Sequence, residues 1–426
     1  MRALGLAVLA LAAACGGGSD GPCDRNVVGN ICTVAGSGEN GYDIATEDKA
    51  VAATQTPMSL PTDTLTAPDG TVYVVDWNNH RLRKITKEGL LQFVAGNGEL
   101  GGSIDDPAKG NFNHPTNIIF DPTGTLIYIS AWHNSKIRIL DPATGMISDS
   151  CGDGRRAYFG DDGPALTASL DLPASIAWDP HNNLVILDQA NQVIRVVDQA
   201  GSIHRMAGNC VVDEAPPTGP GACPGGTAPT VCPAPSGKTV CGDPAKFCSV
   251  ACGPGYGGDE GPALQMRMAQ AFGQSADPGG RIAYDKQGNL FFADTVNNLI
   301  RVIDPQGIVH RVAGQPPPAT GGFAGDGGPA LSATLNHPVD IALADDGTLY
   351  FTDVLNHCVR AIAPDKTIRT VAGQCGMRLP DDQAIAEGVP ATSALLFRPY
   401  GVEWVAPHTL YIADSGNNVI RSVHLP

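Results

Sequence analysis

The sequence is poor in charged residues, and in basic residues especially. Only 16% of its 426 residues are charged, and 27 Lys and Arg stand against 43 Asp and Glu, which gives a formal net charge of −16. Because binding to nucleic acid depends on clustered Lys and Arg, nucleic acid is disfavoured as a partner. The hydrophobic fraction of 42% is large enough to form a core, which excludes a disordered chain.

Long uninterrupted segments are also missing. The apolar run from Ala3 to Ala14 is too short to span a bilayer as a mature helix, and no other segment could cross a membrane. The 52 Gly and 34 Pro make up about a fifth of the chain and recur too often to leave room for long helices. The glycines have no three-residue period, which excludes a collagen-like chain. The sequence therefore indicates short elements joined by turns.

The first residues predict export. Arg2 precedes the apolar run, and small residues precede Cys15, as in a secretory signal spanning residues 1–14. The Cys after small residues resembles the bacterial lipobox, although Ala12 stands where that pattern prefers Leu. The resemblance implies lipidation of Cys15, a flexible tether over residues 15–29 and a place in the bacterial cell envelope, at the outer membrane or cell surface. The alternative is an ordinary cleaved signal peptide.

Twelve cysteines suit an oxidising compartment. If Cys15 carries a lipid, eleven remain, so either one thiol is free or the lipidation prediction is wrong. Cys358 and Cys375 fall on the third strand and just beyond the fourth strand of one repeat and are candidates for a bridge. Six further candidates lie in a Pro- and Gly-rich insertion over residues 210–256, and their pairing is left open. They are Cys210, Cys223, Cys232, Cys241, Cys248 and Cys252.

The strongest signal is internal repetition. The string Asp-x-x-Asn-x-x-aliphatic-Arg recurs roughly every 55 to 60 residues, with one longer step that contains the insertion. A sixth copy has Ala131 in place of the Asp but keeps Asn134 and Arg138. The full copies are Asp76, Asn79 and Arg83; Asp188, Asn191 and Arg195; Asp294, Asn297 and Arg301; Asp353, Asn356 and Arg360; and Asp414, Asn417 and Arg421.

Each repeat predicts four short strands. In the fifth repeat, apolar runs at 341–344, 348–352, 358–363 and 367–372 are separated by turns such as Asp345-Asp346-Gly347. Strands of five or six residues joined by Gly, Asp and Asn turns are typical of antiparallel sheet. A four-stranded unit repeated around an axis is a β-propeller.

The repeat resembles the NHL repeat over nearly all of residues 31–424. The string Pro-x-x-Ile, then Asp-Gly-x-Leu-Tyr, then Asp-x-x-Asn-His-x-[Ile/Val]-Arg and Val-Ala-Gly is best preserved at 69–96 and 346–373. A linker string Gly-Asp-Gly-Gly-Pro-Ala at 325–330, with variants at 160–165 and 258–263, is common between such repeats in bacterial envelope proteins. The resemblance implies an NHL-type propeller of the bacterial lipoprotein kind.

The two ends of the repeat region predict how the ring closes. The last repeat has three strands, at 400–405, 409–413 and 419–423, and stops without a fourth. Residues 30–36 form an orphan strand with the Val-Ala-Gly ending of a fourth strand. Pairing the two completes the last blade and removes an exposed sheet edge. We expect an all-β, six-bladed β-propeller over residues 30–426, with the N-terminal strand closing the last blade.

Most of the conspicuous polar residues are interpreted as architecture. A group needed once per blade, such as the Asp-Asn-Arg set, holds the blade together, because Asp and Asn accept backbone N–H bonds at turns. The acidic linkers lack the spacing of a calcium loop. Because Pro follows Asp there, they predict short helix starts, such as a helix over Ala330–Leu335.

The central channel is where we expect a site. The innermost strand of each blade follows a proline, and the second residue after it is Asp63, Asn117, Ser175, Gly280, Asp340 or Gly401. If these positions point inward, Asp63, Asn117 and Asp340 form an oxygen-rich ring suited to a hard cation such as Ca²⁺. The alternative is a water-filled, hydrogen-bonded channel. Ser175, His114 and His337 are expected at the channel mouth.

We expect a non-catalytic, monomeric scaffold that is anchored in the envelope and presents loops to a protein or glycan. No catalytic residue is assigned, because strong blade symmetry leaves no asymmetric catalytic set. The insertion is either a recognition surface or a loop without a binding role. The alternative function is a metal-dependent lyase or hydrolase acting at the channel mouth.

Overall fold

The structure is a computed structural model that describes residues 23–43, 51–101, 110–209, 230–231, 239–240, 254–273, 276–380 and 383–426. The predicted signal segment, Cys15 and most of the tether lie outside the described residues, as do the six cysteines of the insertion. Within the insertion, Thr230–Val231 pairs antiparallel with Thr239–Val240. In the part of the chain that is described, no helix is long and apolar enough to span a membrane.

Six antiparallel sheets form the blades, and they confirm the predicted all-β propeller. Short extra strands at Val51–Ala52, Gly163–Pro164 and Val389–Pro390 extend the outer edges of blades 1, 3 and 6. The main strands, from the axis outward, are Pro61–Thr66, Val72–Asp76, Arg81–Ile85 and Leu90–Ala95 in blade 1; Pro115–Phe120, Ile127–Ala131, Lys136–Leu140 and Ile147–Cys151 in blade 2; Pro173–Trp178, Leu184–Asp188, Val193–Val197 and Ser202–Ala207 in blade 3; Ile282–Tyr284, Leu290–Asp294, Leu299–Ile303 and Val309–Ala313 in blade 4; Pro338–Leu343, Leu349–Asp353, Cys358–Ile362 and Ile368–Ala372 in blade 5; and Gly401–Val405, Thr409–Asp414, Val419–His424 and Asn30–Ala35 in blade 6.

The innermost strands surround the axis in chain order. Each contacts the innermost strand of the next blade, and that of blade 6 contacts that of blade 1. All six begin at the same end of the ring, which we call the strand-start face. Apolar side chains fill the spaces between neighbouring blades: Leu187 of blade 3 and Phe292 of blade 4, for example, are fully buried in one cluster.

The N-terminal strand closes the ring as predicted. Asn30–Ala35 pairs antiparallel with Val419–His424, with Ile31 opposite Val423 and Thr33 opposite Arg421. A disulfide between Cys23 and Cys32, which the sequence did not suggest, fastens the preceding segment to this strand. The last blade is therefore built from both ends of the repeat region.

Two other cysteine findings concern the blades. The predicted bridge between Cys358 and Cys375 is present and fastens the end of blade 5 to its third strand. Cys151, at the end of the fourth strand of blade 2, is buried with a free thiol. Burial raises the pKa of that thiol to about 12, so it is a packing residue at neutral pH.

The helical elements of the described residues are single 3₁₀ turns. The turn that was expected to extend over Ala330–Leu335 spans only Ala330–Ser332. It ends because Ala333 returns to extended backbone, which directs Leu335 into the core between blades. Equivalent turns follow the linker prolines at Ala165–Thr167, Ala263–Gln265 and Ala391–Ser393.

We predict that truncating one core side chain of the N-terminal strand weakens the whole ring. Ile31 is fully buried, so Ile31→Ala should lower the free energy of unfolding by about 3 kcal/mol through lost burial and a cavity. Urea unfolding followed by fluorescence measures the change. Val28→Ala is the matched control, because Val28 is exposed and its loss should cost less than about 0.5 kcal/mol. Equal effects of the two substitutions would contradict the pairing of this strand.

Candidate functional site

The Asp-Asn-Arg set lies inside each blade. In blade 3, Asp188 accepts the N–H of Asp171 at 2.7 Å, the amide of Asn191 at 2.9 Å and the guanidinium of Arg195 at 3.4 Å. The carboxylate thus joins the second strand, the third strand and the segment before the innermost strand. Burial raises the pKa of Asp188 to about 7, although Arg195 acts to lower it. Asp76, Asp294 and Asp353 make the same three kinds of contact.

The acidic linkers bind the other side of these arginines. Asp161 lies 2.6 Å from Arg195, and Asp326 lies 2.7 Å from Arg360. Asp259 makes the same contact with Arg301 at 2.6 Å. Each guanidinium is fully buried, and the linker carboxylate supplies a second negative partner for it. The acidic linkers are therefore engaged in ion pairs within the fold.

Blade 2 shows how the loss of the repeated Asp is accommodated. Ala131 offers no acceptor, and Asn134 instead accepts the N–H of Asn113 at 2.9 Å, the bond that Asp makes in the other blades. Arg138 remains fully buried and donates to Asp149 of the fourth strand at 3.2 Å. The charge of Arg138 is thus balanced from another strand of the blade.

The residues expected to line the channel lie at the axis and join neighbouring blades. We call Asp63, Asn117, Ser175, Arg281 and Asp340 the axial ring. Four of these side chains accept the backbone N–H of the innermost strand of the next blade, which explains why oxygen-bearing residues occupy these positions. The bonds are from Ile118 to Asp63 at 2.8 Å, from Ile176 to Asn117 at 2.8 Å, from Ile282 to Ser175 at 3.2 Å and from Val402 to Asp340 at 2.9 Å.

Arg281 was missed by counting from the prolines, which selected Gly280. Blade 4 has one extra residue after Pro278, so Ile282 takes the place that Ile118 has in blade 2, and Arg281 takes the axial place. Gly280 absorbs the extra residue with a φ of 68°. Arg281 is nearly buried and approaches Asp63 at 3.3 Å, and it also donates to the carbonyl of Thr62 at 3.2 Å. The sequence feature that could have identified Arg281 is a lone Arg at the start of an apolar strand.

The axial ring holds more acidic than basic groups. Burial raises the pKa of Asp63, and it raises the pKa of Asp340 to about 7, while Arg281 acts to lower both. Glu403, beside them in the channel, accepts the N–H of Thr66 at 2.6 Å, and burial raises its pKa to about 7. The charge of Arg281 opposes a second cation between these carboxylates. Calcium at Asp63, Asn117 and Asp340 stays a prediction.

A second set of bonds between blades lies at the strand-start face. After each second strand, one residue in the left-handed conformation accepts the N–H of a residue that leads into the next innermost strand. Ser135 holds this position in blade 2, and its buried hydroxyl has no hydrogen-bond partner within the part of the chain that the structure describes. The acceptor and donor pairs are His80 and His114, Gln192 and Gln270, Asn298 and His337, His357 and Arg398, and Asn418 and Leu60.

Three histidines and two tryptophans meet at this face between blades 1 and 2. We call His80, His114 and His133 the histidine cluster. The ring of His114 lies 4.3 Å from that of His80 and 4.8 Å from that of His133, measured between centroids. Trp132 stacks on His133 at 4.3 Å, and Trp77 lies 4.4 Å from His114. Burial lowers the pKa of His80 and His133 to about 4 and that of His114 to about 3, so the rings are neutral at pH 7.

A pocket of about 340 Å³ opens at the same face between blades 4, 5 and 6. We call it the mouth pocket. Arg398 lies in it, 2.6 Å from Asp277 and 2.7 Å from the hydroxyl of Tyr400. Among the described residues, three buried polar atoms of its lining have no hydrogen-bond partner: Gln270 Oε1, His337 Nδ1 and Arg398 Nε. Exposed Phe272, Val296 and Leu355 complete the wall.

The chain resembles known proteins in sequence. Residues 28–223 match the family model described as the teneurin NHL domain. Protein SUPPRESSOR OF QUENCHING 1, chloroplastic, of Arabidopsis thaliana is 25% identical over 346 residues, and Teneurin-1 of Homo sapiens is 25% identical over 374 residues. These alignments cover 79% and 78% of this chain but 27% and 13% of the relatives, so the chain spans about a quarter or less of their length.

Solved structures resemble the chain in fold alone. A structural genomics protein of unknown function from Bacteroides thetaiotaomicron has a TM-score of 0.60 and 13% identity, covering 92% of this chain and 75% of that one. An auxiliary nutrient binding protein from the same organism has a TM-score of 0.56 and 13% identity, with the same coverage. The predicted NHL-type propeller is confirmed, and the lipoprotein kind stays a prediction.

We predict that Arg281→Gln destabilises the ring in a pH-dependent way. It leaves buried carboxylates without their cation, so the free energy of unfolding should fall by about 3 to 5 kcal/mol above pH 7. Because Arg281 acts to lower the pKa values of Asp63 and Asp340, its removal raises them further. The folded variant then takes up protons before the folded wild type as pH falls, and the loss should shrink towards pH 4.

Urea unfolding at several pH values tests this, each variant being compared with the wild type. Arg369→Gln is the control, because Arg369 is exposed on the fourth strand of blade 5. Adding Asp63→Asn and Asp340→Asn to Arg281→Gln should recover part of the stability at pH 7.5. A loss that is the same at pH 5 and pH 7.5 would argue against this charge balance.

We also predict that the histidine cluster weakens the fold in acid. The folded pKa of His114 lies below its unfolded value of about 6.5, so the unfolded state binds more protons between that pH and about 3. The stability that neutral His114 supplies is complete above pH 6.5 and is lost as pH falls. Relative to His114→Leu, the wild type should lose on the order of 2 kcal/mol between pH 7 and pH 4.

For the control residue, His204, the contribution to stability should depend on pH in the opposite direction. Hydrogen bonds to Asp162 and Asp198 raise the pKa of exposed His204, so its small contribution is present at low pH and is lost as pH rises. The difference between wild type and His204→Leu should therefore change in the other direction. Denaturant unfolding from pH 7 to pH 4 measures both, and parallel curves for the two variants would refute the assignment.

Proposed function

We propose that this chain, an NHL-repeat six-bladed β-propeller, is a non-catalytic binding protein that presents its strand-start face to a ligand. The repeated polar residues support this, because they are engaged in holding blades and blade junctions. The observation that carries the proposal is the mouth pocket, where the ion pair of Asp277 and Arg398 and the hydroxyl of Tyr400 lie in the lining of a cavity bordered by exposed apolar side chains. Pockets of this composition are typical of ligand sites.

The chemistry of the mouth pocket favours a glycan over a protein partner. Asp277 and Arg398 form an ion pair at 2.6 Å. The carboxylate can accept a hydrogen bond from one sugar hydroxyl while the guanidinium donates one to the adjacent hydroxyl. Phe272, exposed at the rim, offers an aromatic face to the C–H side of a sugar ring. A volume of about 340 Å³ suits one or two sugar units.

The fold neighbours are consistent with this proposal. One of them is described as an auxiliary nutrient binding protein, so the propeller architecture has a precedent for that role in another protein. The proposed location follows from the first residues: export by the segment 1–14 and anchoring through Cys15 would hold the ring in the bacterial envelope. Together, the fold precedent and the proposed location suggest a protein that captures a nutrient glycan at a cell surface.

The alternative function, a metal-dependent lyase or hydrolase at the channel mouth, requires a stoichiometric metal at the axial ring. Arg281 lies beside Asp63 and so lowers the affinity expected for a cation there. Elemental analysis of the purified chain distinguishes the two functions. A metal that is retained by the wild type and lost in Asp63→Asn with Asp340→Asn would favour the enzyme.

We predict that the purified chain binds a soluble glycan and that the mouth pocket is responsible. A glycan array identifies the ligand, and calorimetry measures its affinity. Asp277→Ala should weaken binding at least tenfold, about 1.4 kcal/mol, because it removes an acceptor and frees Arg398. Asp345→Ala is the matched control, since it breaks an exposed ion pair with Lys286 of the same length, 2.6 Å. Failure to bind any glycan, or equal effects of both variants, would reject the proposal.

A further inference from the structure

The histidine cluster and the neighbouring Asn113 bring three potential metal-ligand atoms close together. Nδ1 of His114 lies 3.1 Å from Nδ1 of His133 and 2.8 Å from Oδ1 of Asn113. A neutral imidazole has one N–H, so a proton on His133 Nδ1 would leave His114 Nδ1 and Asn113 Oδ1 facing each other as two acceptors. A proton on His114 Nδ1 would have to serve both neighbours. A cation would satisfy all three lone pairs at once.

We propose that His114, His133 and Asn113 form a binding site for copper(II) or nickel(II). The site is separate from the axial ring and from the mouth pocket, and it does not depend on the proposed glycan binding. Its three donor atoms come from the segment before the innermost strand of blade 2 and from the turn Trp132–Asn134. Asn134 fixes the spacing between the two segments by accepting the N–H of Asn113 at 2.9 Å.

The separation of the nitrogens selects the kind of metal. At the usual metal–nitrogen length of about 2.0 to 2.1 Å, a tetrahedral site places two nitrogens about 3.4 Å apart. The 3.1 Å between the two Nδ1 atoms corresponds to an angle of about 100° at the metal, which is smaller than the tetrahedral angle. The 2.8 Å between Asn113 Oδ1 and His114 Nδ1 corresponds to an angle close to a right angle. Right-angled imidazole and amide donors are typical of tetragonal copper(II) and nickel(II).

The surroundings keep the donors in place. Trp132 stacks on His133 with 17° between the rings, and Trp77 packs against His114, so neither imidazole turns freely. His80 accepts the N–H of His114 and packs edge-on at 4.3 Å. The positive charge of Arg156, which acts on His133, is paired with Asp171 at 2.7 Å.

The repeat does not require these residues. The position of His133 is occupied by Asn78, Ala190, Val296, Leu355 or Gly416 in the other blades, and that of His114 is Leu in blades 1 and 3. His133 is therefore a departure from the repeat, whereas Asn113, His114 and His80 recur in blade 5 as Asn336, His337 and His357. The same comparison supplies variants that the fold already accommodates elsewhere, namely His114→Leu and His133→Ala.

The experiment is a titration of the purified full chain with copper(II), followed by tryptophan fluorescence and electron paramagnetic resonance. We expect one ion to bind and to quench Trp132 and Trp77, with a spectrum showing coupling to two imidazole nitrogens. His114→Leu and His133→Ala should each weaken binding at least tenfold and remove the quenching. His408→Ala is the control, because His408 packs against His424 away from the cluster and its loss should leave the affinity unchanged.

Nickel(II) serves as a second probe that does not oxidise thiols, and thermal unfolding without metal shows that each variant folds. Unchanged copper affinity in a folded His114→Leu or His133→Ala variant would overturn the proposal. So would a copper spectrum without two imidazole nitrogens. Loss of nickel binding in the same two variants, with the His408→Ala control intact, would support it independently.

Discussion

The ring depends on polar bonds that pass from a side chain of one blade to a backbone N–H of the next. One set lies at the axis, where Asp63, Asn117, Ser175 and Asp340 accept from the neighbouring innermost strand. Apolar packing between blades is not directional, so it does not by itself fix how far one blade is rotated against another. Because an unpaired N–H in this buried position would be costly, these bonds hold each blade at one angle and height.

Much of the fold could be predicted because its information is local. Strands, turns and the Asp-Asn-Arg set recur within each repeat, and the orphan strand at Asn30–Ala35 carries the ending of a fourth strand. The bridge between Cys358 and Cys375 was visible for the same reason, since both residues belong to one blade. To predict these features, it is enough to know the order of residues within a repeat and to require that the sheet edge be covered.

The sites were harder to predict because they combine separate blades. Arg281 was hidden by one extra residue, which displaced the position counted from Pro278. The mouth pocket joins Asp277 of one blade to Arg398 and Tyr400 of another, and no string relates them. The histidine cluster likewise needs the blade angle before His80 and His114 become neighbours. Residues that recur from blade to blade hold the ring together, whereas residues that differ between blades contribute to its candidate sites.

The closing strand has a consequence for how the protein is made. Ile31 pairs with Val423, so the first strand of the ring can pair only after residue 423 has left the ribosome. Blades 1 to 5 are each continuous in sequence and need no distant partner for their own sheets. Closing so long a loop is entropically costly and slow. We therefore expect closure of the last blade to be the slow step of assembly. Until it forms, the sides of blades 1 and 5 that blade 6 covers in the closed ring are exposed to other chains.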